Sequence, residues 1–148
     1  MFHMRGHLYR NAAVIIFATS AMLFVASLFS PAFSDPNGSK SGLDALLFGW
    51  LAALTGLPQG GFWLANPILC ASWALLGWKR GWPSALLAAA ALILGTAFLF
   101  AKEIATDESG VARPIIALGA GYWRWLASMA AVAGGVVFRR VLPRLALG

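Results

Sequence analysis

Long apolar runs alternate with short polar islands along this chain. Residues 12–33 and 84–101 carry no charge, and residues 115–138 carry only Arg124. Residues 43–78 carry one charge, Asp44, and a breaker cluster near their middle, Thr55-Gly56-Leu57-Pro58-Gln59-Gly60-Gly61. A helix that spans bilayer hydrocarbon needs about 20 predominantly apolar residues. These runs are continuous and rich in Ala, Leu and Gly, without the two-residue alternation of barrel strands. The pattern predicts an all-α membrane helical bundle in a single domain, residues 1–148. It comprises four transmembrane helices (residues 12–33, 61–78, 84–101 and 115–138) and one interfacial or re-entrant helix (residues 43–54).

The stretch before the breaker cluster is read as a helix that does not cross. Residues 43–54 extend only about 18 Å at 1.5 Å per residue, against a core of about 30 Å. Ser41-x-x-Asp44 fits a capping box, with the aspartate also favoured by the helix dipole. Leu43, Leu46, Leu47, Trp50, Leu51 and Leu54 share one face of the predicted helix, and Ala45, Gly49, Ala52 and Ala53 the other. Residues 34–42 (SDPNGSKSG) are turn chemistry. Ala32-Phe33-Ser34 resembles a signal cleavage site, but the run before it is longer than the roughly 7–15 residues of a signal core, so an uncleaved span is expected.

Charge gives the predicted bundle an orientation. A lone crossing between residues 43 and 78 gathers Arg5, Arg10, Lys79, Arg80, Arg139, Arg140 and Arg144 on one side with no acid. On the other side lie Lys40, Lys102, Arg113 and Arg124 with all 5 acids. Cations concentrate on the cytoplasmic side of membrane proteins, so both termini are expected there, in a multi-pass protein of a bacterial inner membrane. Composition agrees: 60% hydrophobic and 11% charged residues are too few charges to clothe a soluble fold. The net charge of +6 then reads as topology signal and attraction to anionic headgroups, with no nucleic acid implied. One cysteine, Cys70, rules out a disulfide framework.

Asn66-Pro67 is the candidate helix break. Proline removes an amide donor and frees a carbonyl one turn earlier, and a neighbouring asparagine can compensate. A broken helix could also bind an ion or solute. Arg124, within Tyr122-Trp123-Arg124-Trp125, is either a cation snorkelling among aromatic anchors or the partner of Asp44 in an interfacial pair. Ala127, Ala131 and Gly135 form a small-residue packing face, joined by Ala91 and Gly95 and by Ala13, Ser20 and Ser27. Asp107 and Glu108 with Glu103 read as a solvated loop, Asn37-Gly38-Ser39 as a turn more than a glycosylation site, and His3 and His7 as a weak metal pair. No cofactor is expected.

Three functions follow as expectations. The first is a non-enzymatic accessory or assembly subunit that packs against another membrane protein, or against itself, within the lipid bilayer. The second is a small-solute transporter or channel component with Asn66, Thr96 and Ser128 along its path. The third and weakest is an outer-leaflet enzyme using Asp44, Glu103 and Asp107.

Overall fold

The computed structural model describes residues 2–56, 60–105 and 111–145. Helix α1 (Phe2–Leu28) is followed by a turn at Phe29 and Ser30, and the chain becomes extended at Pro31. Strands β1 (Pro31–Asp35) and β2 (Gly38–Ser41) form a hairpin whose turn is closed by Asn37 N–H donating to Asp35 Oδ1 at 2.8 Å. Gly38, at φ 123°, takes a backbone conformation that side-chain-bearing residues avoid. Helix α2 (Gly42–Leu54) follows, then the short α3 (Gly60–Trp63), α4 (Ala65–Gly77) and α5 (Gly81–Ala97). A 3-10 turn (Phe98–Phe100) leads to the hairpin β3 (Glu103–Ala105) and β4 (Ala112–Pro114). Finally β5 (Ala117–Leu118) pairs antiparallel with β1, and α6 (Ala120–Leu145) closes the described chain.

This architecture corrects the expected all-α bundle with four membrane spans and an interfacial helix. The fold is mostly helical but carries a small antiparallel sheet, ordered β2-β1-β5. Among the described residues only two helices are long and apolar enough to cross a membrane. They cover Asn11–Leu28 and Gly81–Phe100, each with mean hydropathy 2.0. The reasons are local. Residues 31–33, assigned to the first span, leave the helix at Pro31 and become β1. Residues 61–78 are split at Leu64, which leaves α4 with 13 residues, about 20 Å of helix. Residues 115–119 are extended, and Arg124, Arg139 and Arg140 dilute the apolar character of α6.

Helices α1 and α6 run antiparallel. Gly121 lies against Ser30 and Pro31, Ser20 Oγ donates to the Ser128 carbonyl at 2.7 Å, and Gly135 lies against Ile16. At one end of the bundle, Gly81 sits beside the Arg139 guanidinium and Arg140 stacks over the Trp82 ring at 5.9 Å. Lys79, Arg80, Arg139 and Arg140 therefore share that end. The sheet, Asp35 and Asp44 occupy the other.

The core is built from small faces. Ala85, Ala88, Ala91 and Gly95 of α5 are buried, so that α4 and α6 approach closely, with Leu69, Met129, Val132 and Val136 filling the seam. Near the sheet a second cluster gathers Ala32, Phe33, Phe98, Tyr122 and Leu126. Trp73 of α4 is gripped edge-on by Phe17 and Phe24 of α1, with centroids at 5.7 and 5.5 Å.

Helix α4 ends in a Schellman arrangement: Arg80 N–H donates to the Leu75 carbonyl at 2.9 Å and Lys79 N–H to the Leu76 carbonyl at 3.1 Å. The residue in the left-handed position is Lys79, at φ 61°, where glycine is usual. Replacing Lys79 with glycine should stabilise the fold by about 1 kcal/mol, read as a higher thermal midpoint in mild detergent. Gly121→Ala should do the opposite. Its Cβ would meet the Ser30 carbonyl oxygen at 2.6 Å, backbone that cannot swing aside, so α6 must part from β1.

Candidate functional site

Asn66, Asp44 and Arg124, singled out in the sequence, lie toward the sheet end of the bundle, where each is employed in a bond within the chain. Pro67 has no amide to offer the Trp63 carbonyl one turn earlier. Asn66 Nδ2 donates to that carbonyl at 3.0 Å, so the asparagine replaces the bond its neighbour removes. Asn66 Oδ1 in turn accepts from Trp125 Nε1 at 2.8 Å, which ties the break in α4 to α6. The Trp63 indole N–H reaches across to the Leu46 carbonyl of α2 at 3.0 Å. The Asn66-Pro67 break is thus a junction of four helices, α2, α3, α4 and α6.

Asp44 and Arg124 are not joined. Asp44 Oδ2 accepts from Ser41 N–H at 2.9 Å and from Ser41 Oγ at 2.8 Å, while Asp44 N–H donates to Ser41 Oγ at 3.1 Å. This is the capping box, formed in full at the start of α2. The bonds from the Ser41 hydroxyl and amide hold the Asp44 carboxyl below its ordinary pKa, with Lys40 adding to the effect and partial burial opposing it. Arg124 Nη1 instead donates to Ser30 Oγ, whose hydroxyl donates to the Ala26 carbonyl at 2.7 Å. The cation therefore anchors the corner where α1 gives way to β1.

The face of Ala127, Ala131 and Gly135 is half-buried, and Gly135 is taken up inside the chain: a Cβ there would lie 2.8 Å from Ile16 Cγ1 of α1. Of the other suggested path residues, Thr96 Oγ1 donates to the Leu92 carbonyl at 2.7 Å and Ser128 Oγ to the Trp125 carbonyl at 2.6 Å. Glu103 is exposed on β3, while Asp107 and Glu108 lie outside the described residues, as do the side chains of His3 and His7. Among the described residues no group of three His, Cys, Asp or Glu is placed to hold a metal ion.

What the sequence did not suggest is a part-open cavity of about 120 Å³ beneath α2. Its walls come from α1, α2, α3, β1 and α6, and they are apolar: Phe24, Phe33, Ala45, Phe48, Phe62 and Phe98. Lys40 and Asp44 also line it. The inner face of α2 carries only small residues, Ala45, Gly49 and Ala52, which leave room for the Trp63 ring against Gly49 and for the cavity beside it. That signal was present in the helix pattern, but only the packing of α2 over the sheet turns it into a void. No protein family, curated protein or solved structure matches this chain. Function has to be read from its own residues.

Two outcomes test this geometry. Asn66→Leu orphans both the Trp63 carbonyl and the Trp125 N–H, so it should cost on the order of 3 kcal/mol, measured as a fall in thermal midpoint. Asp44 has a folded-state pKa below the ordinary aspartate value of 3.8. Its contribution is therefore complete above about pH 4 and disappears as pH falls through the lower folded value. Hydrogen exchange at the α2 amides should rise across that acid range in the wild type. In Asp44→Asn the α2 amides should exchange faster at neutral pH and lose that acid-range dependence.

Proposed function

We propose that this chain is an integral protein of a bacterial inner membrane, acting without catalysis as an accessory or assembly subunit through lateral helix packing. The observation that supports this most is inverted polarity. Ser20, Ser72, Ser84 and Ser128 are fully buried, whereas Met22 of α1 and Ile93 of α5 are 72% and 70% exposed. Water-soluble folds bury the second kind of residue and expose the first. In hydrocarbon the preference reverses, because polar groups need protein partners and aliphatic side chains do not.

The two apolar helices fit this setting in different degrees. Only 11% of the apolar stretch of α1 is buried, which is unlike the core helix of a soluble protein. Helix α5, with 33% buried, rests between α4 and α6 and presents its outer face. Exposed tryptophans mark both ends, Trp78 and Trp82 at the basic end and Trp50 and Trp123 at the sheet end, the positions favoured at headgroup level. The basic end, with the start of α1 and the close of α6, then faces the cytosol and anionic lipid.

The interior favours a packing role over transport or catalysis. The serine hydroxyls and Asn66 are engaged within the chain, and one oxygen of the Asp44 carboxylate, Oδ2, is held in the α2 cap. The broad exposed face of α1 is where a partner helix would lie.

Two measurements test the proposal. With Cys70 replaced by serine, Ser39→Cys should react with a membrane-impermeant maleimide on whole cells, and Trp78→Cys should react only after permeabilisation. A photocrosslinking residue at Val14, Met22 or Val25 of α1 should yield one discrete protein adduct in native membranes. Equal labelling at positions 39 and 78 would sink the topology, and a failure of all three α1 sites to yield a discrete protein adduct would sink the subunit role.

A further inference from the structure

The cavity beneath α2 has a wall chemistry that selects its occupant. Its polar side chains are already committed: Trp63 Nε1 to the Leu46 carbonyl, Trp125 Nε1 to Asn66 Oδ1, Asn66 Nδ2 to the Trp63 carbonyl, and the Tyr122 hydroxyl to the Gly95 carbonyl at 3.0 Å. The Ser27 hydroxyl likewise donates to the Phe24 carbonyl at 2.6 Å. A buried water needs two to four polar partners, and apart from Lys40 and Asp44 these walls offer no uncommitted polar side chain. Lys40 and Asp44 aside, the remaining lining is aromatic and aliphatic, a surface that suits hydrocarbon.

Size and shape narrow it further. A cavity of about 120 Å³ is somewhat smaller than the engineered one of about 150 Å³ that admits benzene. It holds a segment of one chain and not a whole lipid. Because the space is part-open, the rest of that chain can run out along the apolar surface of the protein, where Phe29 and Leu47 are exposed.

The charged residues at the cavity supply the head-group preference. Lys40 and Asp44 are close enough for the ammonium to favour the ionised carboxylate. Both Ser41 bonds fall on Asp44 Oδ2, which leaves Oδ1 available. A purely anionic head would meet repulsion from Asp44. A head that carries a phosphate and an ammonium matches both residues.

Building on the membrane reading above, we propose that the cavity seats one acyl chain of a zwitterionic phospholipid, with its phosphate toward Lys40 and its ammonium toward Asp44. Helix α2 then acts as a clasp over a bound lipid. Its outward leucines and tryptophan lie in the leaflet, and its small inner face lies on the acyl chain.

The test reconstitutes the full chain into nanodiscs of phosphatidylethanolamine carrying a diazirine on the acyl chain near the ester, and maps photoadducts by peptide mass spectrometry. Adducts are expected on the Ala45–Phe48 and Phe62 peptides as well as on the outer faces at Met22 and Ile93. Ala45→Leu fills the cavity without altering either charge, and it should reduce the cavity adducts at least fivefold while those at Met22 and Ile93 persist. Lys40→Gln leaves the cavity walls intact and should reduce the cavity adducts several-fold.

Parallel discs of phosphatidylglycerol, and a free diazirine fatty acid added to unlabelled discs, distinguish the source of the chain. Cavity labelling by either that equals the phosphatidylethanolamine signal overturns the head-group assignment. Labelling at Met22 and Ile93 with none in the cavity overturns the bound lipid and leaves the membrane reading standing. Absence of labelling at all of these positions overturns both.

Discussion

The indole N–H of Trp73 donates to Ser20 Oγ at 2.9 Å, and the same hydroxyl donates to the Ser128 carbonyl at 2.7 Å. One serine thereby holds α4, α1 and α6 at a single level. Below it, toward the basic end, Ser72 and Ser84 exchange bonds with each other's carbonyls at 2.9 and 2.8 Å, which clasps α4 to α5. Wherever helices meet through small residues, a hydroxyl finds a backbone acceptor. The apolar bulk points outward and contributes little to specificity, so these ties and the close glycine and alanine contacts fix the register of the bundle. The same constraint governs the helix break, where the carbonyl freed by Pro67 is satisfied by Asn66 and not by solvent.

The sheet end solves a different problem. Four helix ends meet the extended segments there: the end of α1, the start of α2, the end of α5 and the start of α6. Extended segments let their backbone groups satisfy one another, as in the β1–β2 and β1–β5 pairs, instead of leaving four helix ends open. Arg124 and the Ser41–Asp44 box then secure the two corners beside β1 and β2. The paired expectation for Asp44 and Arg124 failed on this point. Asp44 completes a local cap with Ser41, and Arg124 reaches Ser30 across the meeting of α1 and α6, so neither side chain has to be ordered against the other across a gap.

Much of the helical plan was legible because it rests on local chemistry. The start of α2 follows from Ser41-x-x-Asp44, the break from Asn66-Pro67, and the turn after Trp78 from the change from apolar run to Lys79-Arg80-Gly81. The inward small face of α2 was legible too, since Ala45, Gly49 and Ala52 fall on one side at helical spacing. The strands were not. Pro31–Asp35 shows no alternation of apolar and polar residues, because Ala32, Phe33 and Asp35 are all buried. Its pairing with Ala117–Leu118 joins segments far apart in sequence, which no periodicity reports. Helix length misled for the same reason: hydropathy continued past Leu28 and before Ala120 where the backbone did not.

The cavity illustrates how far local legibility reaches. Each of its determinants is visible in the chain, yet none announces a void until α2 is fixed at both ends. Gly42 packs so closely on α1 that a Cβ would lie 2.3 Å from the Ser27 carbonyl oxygen, and Gly60 does the same to the Ala53 backbone at 2.4 Å. Pinned in this way, α2 cannot sink onto the bundle to close the gap beneath Ala45. A part-open space of this size leaves its aromatic walls short of contacts. A longer side chain at Ala45 would recover part of them, whereas Gly49 already lies against the Trp63 ring. A helix that keeps its small residues over such a space, with a cation and an anion also at its lining, is built to hold hydrocarbon that is not part of the chain.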